Sequence, residues 1–297
     1  MALSLHTNFA ALTTQNSLNK TNNALSTTQQ RLGTGFRVNS AADDAAGLQI
    51  ATRLNAQSRG MAVAMRNTSD AVSMLQTAEG AFSEMTDILQ RMKDLATQGA
   101  NGTNSEDDLK ALQAEYDELA VEIANIMDNT TYAGEALFSK DNSAGKFSEA
   151  VVFQIGATAA ETLTVDLTDG GSDSLQTLTD ALDGISTVYT AGEIDHANAA
   201  TEITGAANAT IDLVSTALDA VVALRSQFGA TINRLEHTNN NLANMKDNTD
   251  MSRGRIMDAD FASESANMSK NSMLLQSGIS MLKQSNQMSG LVMSLIG

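Results

Sequence analysis

The chain has 297 residues and sets 35 acids against 18 Lys and Arg, a formal charge of −17, with no Cys, no Pro and no Trp. Zero Cys excludes disulfides and thiolate chemistry, and a net acidic chain without a basic face disfavours nucleic acid as a partner. With 4% aromatic residues and many Ala, Asn, Ser, Thr, Leu and Met, it suits thin helical layers better than a thick globular core.

The charge is unevenly spread. Residues 1–42 hold Lys20, Arg31 and Arg37 and no acid, and residues 252–297 hold Arg253, Arg255, Lys270 and Lys283 against Asp258, Asp260 and Glu264. The segment between keeps 32 acids and 11 bases, a net −21. Near-neutral ends can approach one another without large repulsion, while the acidic block opposes unplanned association.

The N-terminus lacks the charged start and apolar run of a cleaved leader, and no stretch reads as long enough for a membrane span. In the first arm Leu18, Leu25 and Leu32 form one heptad column, with Asn22 and Gln29 in the neighbouring one. Ile50, Leu54, Met61, Ala64, Ala71, Leu75, Ala78, Phe82, Met85, Leu89, Met92 and Ala96 then mark one seam, interrupted at Gln57 and Thr68. This spacing predicts a helix over about 44–98, stopped by Gly99 and the Asn101–Ser105 run, with Ser105 or a neighbour as the next N-cap. Leu109, Leu112, Tyr116, Leu119, Ile123 and Ile126 repeat the seam, so an antiparallel hairpin of helices is expected.

Val151–Gly156 and Thr162–Leu167 read as β-hairpin strands, and Leu175 to Ile185 as a short helix in an otherwise weakly patterned stretch of 170–200. Ile211, Val214, Leu218, Val221, Phe228, Ile232, Leu235 and Leu242 predict a third long helix to about residue 250. In the last arm Phe261, Met268, Leu275 and Leu282 form one column, beside Asn271 and Gly278. Half a seam does not offset ordering entropy, so both arms are expected to be largely disordered in the free chain.

Chemistry is hard to assemble from these residues. His6, His196 and His237 carry no motif context, and no phosphate loop, zinc motif or nucleophile elbow occurs. Glu106-Asp107-Asp108, Asp43-Asp44 and Asp258-x-Asp260 read as helix-start acids that complement the dipole, not as cation ligands. Five Asn-x-Ser/Thr sequons are expected by chance in a chain this rich in Asn and Thr. No enzyme, cofactor or metal is expected.

The segment Arg31-Leu32-Gly33-Thr34-Gly35-Phe36-Arg37-Val38-Asn39-Ser40-Ala41-Ala42-Asp43-Asp44-Ala45-Ala46-Gly47-Leu48-Gln49-Ile50-Ala51 closely resembles the N-terminal signature of the bacterial flagellin family. The resemblance continues at Leu75–Gly80, Leu89–Ala96, Leu224-Arg225-Ser226 and Asp258–Glu264, covering about residues 1–138 and 205–297. Gly33 and Thr34 stand where the family usually has a Ser pair, and Met288 where many relatives carry Pro, which extends the last helix in expectation.

The resemblance implies a mainly α fold, a long antiparallel helical bundle or coiled coil with a small β-hairpin insertion and paired N- and C-termini. Its expected domains are residues 1–43 with 254–297 as the inner filament core, 44–139 with 200–253 as a helical rod, and 140–199 as a short variable insertion. Leu18, Leu25, Leu32, Phe261, Met268, Leu275 and Leu282 would form the assembly core of a helical homopolymer, secreted as the extracellular filament that drives motility.

Also implied are flagellar type III export, a chaperone on the C-terminal arm, and filament cap and hook-filament junction proteins as partners, with no nucleic acid and no membrane. Recognition by an innate immune Toll-like receptor is carried over onto Arg91, Leu95 and Glu115. Arg91 and Leu95 lie one turn apart, and are expected to set a charge beside an apolar anchor. A hook-filament junction protein of the same superfamily is the nearest alternative. A chemoreceptor helical hairpin lacks its required span or symmetric heptads.

Overall fold

In the computed structural model the described residues are 8–140, 144–168, 175–191 and 202–296. Their order is α1 (Phe9–Thr34), α2 (Ala45–Gly99), α3 (Glu106–Asn129), β1 (Thr131–Tyr132), β2 (Glu135–Ala136), β3 (Val151–Gln154), β4 (Thr162–Val165), α4 (Leu175–Ile185), α5 (Thr187–Ala191), α6 (Glu202–Met257) and α7 (Phe261–Ile296). The chain divides into two compact units, residues 1–58 with 246–297 and residues 59–245.

The larger unit is built on the predicted seams. Ser105 caps α3, its hydroxyl accepting from the Asp108 amide at 3.2 Å while the Asp108 carboxylate accepts from the Ser105 amide at 3.0 Å. That reciprocal pair, with Glu106 and Asp107 beside it, gives the acids their place at the positive end of the helix. The Ser105 hydroxyl also donates to the Asp108 carboxylate at 2.6 Å, and that bond, with the one from the Ser105 amide, holds the Asp108 carboxyl below the usual carboxylate range.

Helix α3 runs back along α2: the Arg91 guanidinium meets Glu115, and the Tyr132 hydroxyl donates to the Asp70 carbonyl at 3.3 Å. Met85, Leu89, Met92, Ile123 and Met127 are buried with Val214, Val221 and Leu224 of α6 in one core. Four Phe rings sit at its centre. Phe82 lies 4.8 Å from Phe138 and 5.6 Å from Phe228 between centroids, and Phe147 lies 5.5 Å from both Phe138 and Phe228. Such pairs add to the area they bury.

The insertion follows the expected strands. β3 pairs antiparallel with β4, Val151 opposite Val165 and Gln154 opposite Thr162, and a two-residue ladder, β1 with β2, precedes it unforeseen by the sequence. The Tyr116 hydroxyl donates to the Ile185 carbonyl at 2.9 Å, tying α3 to the end of α4. Burial, and after it the Glu202 carboxylate, pushes that phenol upward.

Three expectations change. The seam of α2 runs through Ala51 and Ser58, not Ile50 and Gln57: Ala51 is 3% exposed and Ile50 42%. Thr68 does not interrupt it. That side chain is fully buried because its hydroxyl donates to the Ala64 carbonyl at 2.8 Å, within the helix, leaving a methyl to face the core. Finally, α6 contains an 18-residue window of mean hydropathy 1.4, long and apolar enough by composition to cross a membrane, contrary to the sequence expectation. Here its Val214, Ala217, Val221 and Leu224 face is core.

In the smaller unit both arms are helical, and α1 packs on α7. The arms, expected to be largely disordered in the free chain, are each drawn as one helix here. Each half-seam finds its complement in the other arm.

Candidate assembly surface

Asn8 begins α1, its side-chain oxygen accepting from the Ala11 amide at 3.0 Å while its amide donates to the Ser285 carbonyl at 3.2 Å. Gly35 ends it in the left-handed region at φ +74°, and donates to the Arg31 carbonyl at 2.8 Å. Only Gly takes that conformation without a Cβ penalty. The chain then makes a short antiparallel bridge: Arg37 donates its amide to Met257 O at 2.6 Å, and Ala259 donates to Gly35 O at 2.9 Å.

Asp43 closes the next turn, accepting from the Asn39 and Ser40 amides at 3.1 and 2.8 Å and from the Ser40 hydroxyl at 3.0 Å. Those Ser40 bonds hold its carboxyl low. Asp44 accepts from the Gly47 amide at the start of α2, and Asp260 from the Ala262 amide and the Ser263 hydroxyl at the start of α7. Asp43, Asp44 and Asp260 are therefore turn and helix caps, whereas Asp258 takes part through its backbone, in the bridge with Phe36. Among the described residues no group of three His, Cys, Asp or Glu could hold a metal ion. His237 is exposed, and His6 and His196 lie outside the described residues.

One ion pair joins the two signature segments. Arg31 of α1 donates to Glu264 of α7 at 3.0 Å, with the side chains 30% and 11% exposed. Glu264→Gln is expected to destabilise the smaller unit by about 1–3 kcal/mol, since it strips the charge from a largely desolvated hydrogen bond. A double-mutant cycle with Arg31→Met in urea unfolding checks this. A coupling below about 0.3 kcal/mol would show that the pair contributes nothing.

Antiparallel pairing follows from Asn8 meeting Ser285, Leu18 meeting Gly278 and Arg31 meeting Glu264. The inward column of α1 alternates Thr14, Leu18, Thr21, Leu25, Thr28 and Leu32, all buried or half-buried. Asn22 and Gln29, expected beside the Leu column, are exposed. On α7 the half-buried positions are Met268, Asn271, Leu275, Gly278, Leu282 and Ser285. Large meets small: a Cβ on Gly278 would stand 2.9 Å from Leu18 Cδ2. Thr14, Thr21 and Thr28 each donate to the carbonyl four residues back, so their hydroxyls are satisfied inside the helix.

Of the expected assembly residues, Leu18, Leu25, Leu32, Met268, Leu275 and Leu282 are half-buried on these inward columns. Phe261 differs: it begins α7 and is 58% exposed. Large apolar side chains also cover the outward side of the pair, Phe9, Leu12, Met273, Leu274, Ile279 and Met281 being 42–66% exposed. Gly278 was expected in the neighbouring column, whereas the Thr positions were missed. Small residues at heptad steps opposite a Leu column were the available signal.

The second expected site is only partly assembled. Arg91 Nε donates to Glu115 Oε1 at 2.8 Å on the surface, the side chains 54% and 46% exposed. Leu95 is 1% exposed and belongs to the core. The spacing of one turn does not put it on the Arg91 face, because Leu95 continues the Leu89, Met92 and Ala96 stripe. The apolar anchor predicted beside Arg91 is thus not at the surface.

Residues 5–143 match the bacterial flagellin N-terminal helical region and residues 211–296 the bacterial flagellin C-terminal helical region. The insertion, with β3, β4, α4 and α5, falls between them. Polar flagellin C of Vibrio parahaemolyticus is 34% identical over 100% of both chains, and a flagellin of Bacillus subtilis is 36% identical over 97% of this chain and 98% of its own. A putative flagellar hook-associated protein from Vibrio parahaemolyticus shares the fold alone, at 15% identity and a TM-score of 0.56 over 73% of this chain and 100% of that one. Arms paired through the two matched regions, and relatives aligned over their whole length, place this chain in the bacterial flagellin family, as a structural subunit that self-assembles into the flagellar filament.

Proposed function

We propose that the chain is exported and joins the filament by burying the outward side of the α1–α7 pair against the arms of neighbouring copies. The supporting observation is where apolar surface is left uncovered. Of the fifteen large hydrophobic side chains exposed among the described residues, ten fall in the smaller unit and seven of these on α1 and α7. An apolar surface so concentrated marks an interaction face. The half-buried Leu18, Leu25, Leu32, Met268, Leu275 and Leu282 hold the pair together, and Phe261 with the outward residues meets the next subunit.

On this reading secretion proceeds through the flagellar type III apparatus. A chaperone covers the C-terminal arm before export, and the cap and junction proteins act at the filament ends. Electron microscopy of the purified chain after seeding checks the proposal: filaments are expected, and persistent monomers would overturn it. A hook-filament junction role is supported by a shared fold alone, whereas the filament role rests on identity along the whole chain.

Toll-like receptor recognition, on this proposal, works through the exposed Arg91 and Glu115 and not through Leu95. Arg91→Ala is expected to weaken monomer binding to the receptor by about 1–2 kcal/mol, as loss of an interfacial Arg commonly does. Equal affinities by surface plasmon resonance would remove this activity from the account.

A further inference from the structure

We infer that Met273 and Met281 are the sites at which a peroxide blocks self-association of this chain, an inference that rests on the assembly face proposed above. The chain has no Cys, so the accessible thioethers are its softest groups toward a two-electron oxidant. Among the methionines whose side chains are described, Met65, Met257 and Met268 are half-buried, and the others divide more sharply. Met61, Met74, Met85, Met92 and Met127 are 0–4% exposed in the larger unit, whereas Met273 and Met281 are 66% and 60% exposed on α7. Met245 and Met251 are exposed too, but lie on α6, off the arm pair.

Met281 lines an open cleft formed by Thr14, Leu18 and Thr21 of α1 with Leu274 and Gly278 of α7. The reaction balances without a further reagent. A sulfur lone pair attacks one oxygen of hydrogen peroxide, the S–O bond forms as the O–O bond breaks, and the departing hydroxide takes up the remaining peroxide proton to leave as water. Sulfur is oxidised by two electrons and the peroxide reduced by two. The product sulfoxide is polar and chiral at sulfur, and its oxygen needs a donor wherever it is buried. Leu274 lines the same cleft as Met281 and offers only an apolar side chain on the face proposed to meet the next subunit.

The test treats the full-length free chain with limiting hydrogen peroxide, then follows peptide masses and seeded elongation. Oxygen is expected at Met273 and Met281 at least about tenfold faster than at Met85 and Met92, with elongation slowed about tenfold. The Met273→Leu/Met281→Leu chain is expected to elongate equally fast before and after the same treatment, whatever its own untreated rate. Should that variant fail to elongate even untreated, the decision passes to incubating the oxidised natural chain with methionine sulfoxide reductases A and B, which is expected to restore elongation.

Unslowed elongation of the oxidised chain, equal loss in the double variant, or no restoration by the reductases would each overturn the inference. Amide exchange of untreated filaments separates the two ideas. Arms protected there, with elongation indifferent to peroxide, sink the methionine inference alone. Arms unprotected there sink the assembly reading itself.

Discussion

Gly278→Leu is expected to abolish polymerisation and to separate α1 from α7. The Cβ alone would stand 2.9 Å from Leu18 Cδ2 and 3.1 Å from Leu18 Cγ, closer than real Cβ atoms comfortably approach, and a leucine adds three further carbons. Overpacking of this kind costs about 1–3 kcal/mol or more in a stable core. The arm pair has little to set against it, since its columns are only half-buried and α1 offers Thr at every second layer. Gly278→Ala places one methyl against a leucine side chain that can turn aside, and is expected to retain filaments. Size exchange provides the control. Leu18→Ala in the Gly278→Leu background moves the bulk from one helix to the other, and should recover arm protection in hydrogen exchange. A Gly278→Leu chain that elongates normally would show that Leu18 does not seat on Gly278.

Phe82→Ala is expected to destabilise the larger unit by about 3–5 kcal/mol. Phe82 is fully buried, contacts two of the other three central rings, and lies between the α2 seam and the Phe138–Phe147 segment that closes the core. Its removal leaves a cavity in a chain with 8 Phe, 3 Tyr and no Trp, where few other side chains could swing in to fill it. Equilibrium urea unfolding checks the value. Val222→Ala, at a side chain 49% exposed on α6, is expected to stay within about 0.5 kcal/mol in the same assay. Similar midpoints for the two variants would mean that the aromatic cluster is not the centre of this unit.

Much of the fold was legible because its helices carry strong, local signals. Ser105 with Asp108 is a capping box readable three residues apart, and α3 begins at the adjacent Glu106. The heptad columns at Leu75 through Ala96 and Val214 through Leu235 mark the faces that meet. Strands β3 and β4 were visible as β-branched runs between turn residues. Less accessible was anything fixed by the partner helix. Whether Ile50 or Ala51 faces inward cannot be decided by a period that drifts between three and four, and Leu95 looks like a neighbour of Arg91 only while its burial is unknown. Thr was misread as a polar interruption. The internal hydroxyl bonds of Thr14, Thr21, Thr28 and Thr68 turn it into a small apolar wedge, a role invisible in composition.

The acid-poor ends place their charges at defined contacts. Their few charges do specific work at the base of the arms: Arg31 binds Glu264, Arg37 donates to the Ile256 carbonyl at 2.8 Å, and Asp258 and Asp260 sit at the turn into α7. Beyond that base α1 carries only Lys20, and α7 only Lys270 and Lys283. An outward face with so little charge and so much exposed Leu, Ile, Met and Phe favours burial against another surface, and arms brought together have little local repulsion to overcome.

Brief proteolysis of the free chain and of the filament tests the central claim most directly. The arms depend on half-buried columns, so local opening should be frequent in the free chain and suppressed where copies cover the outward face. The account predicts early cleavage within residues 8–44 and 258–296 of the free chain, leaving a resistant fragment of roughly residues 44–250, and no cleavage of those arms in the filament. Equal protection of the arms in both states would contradict it.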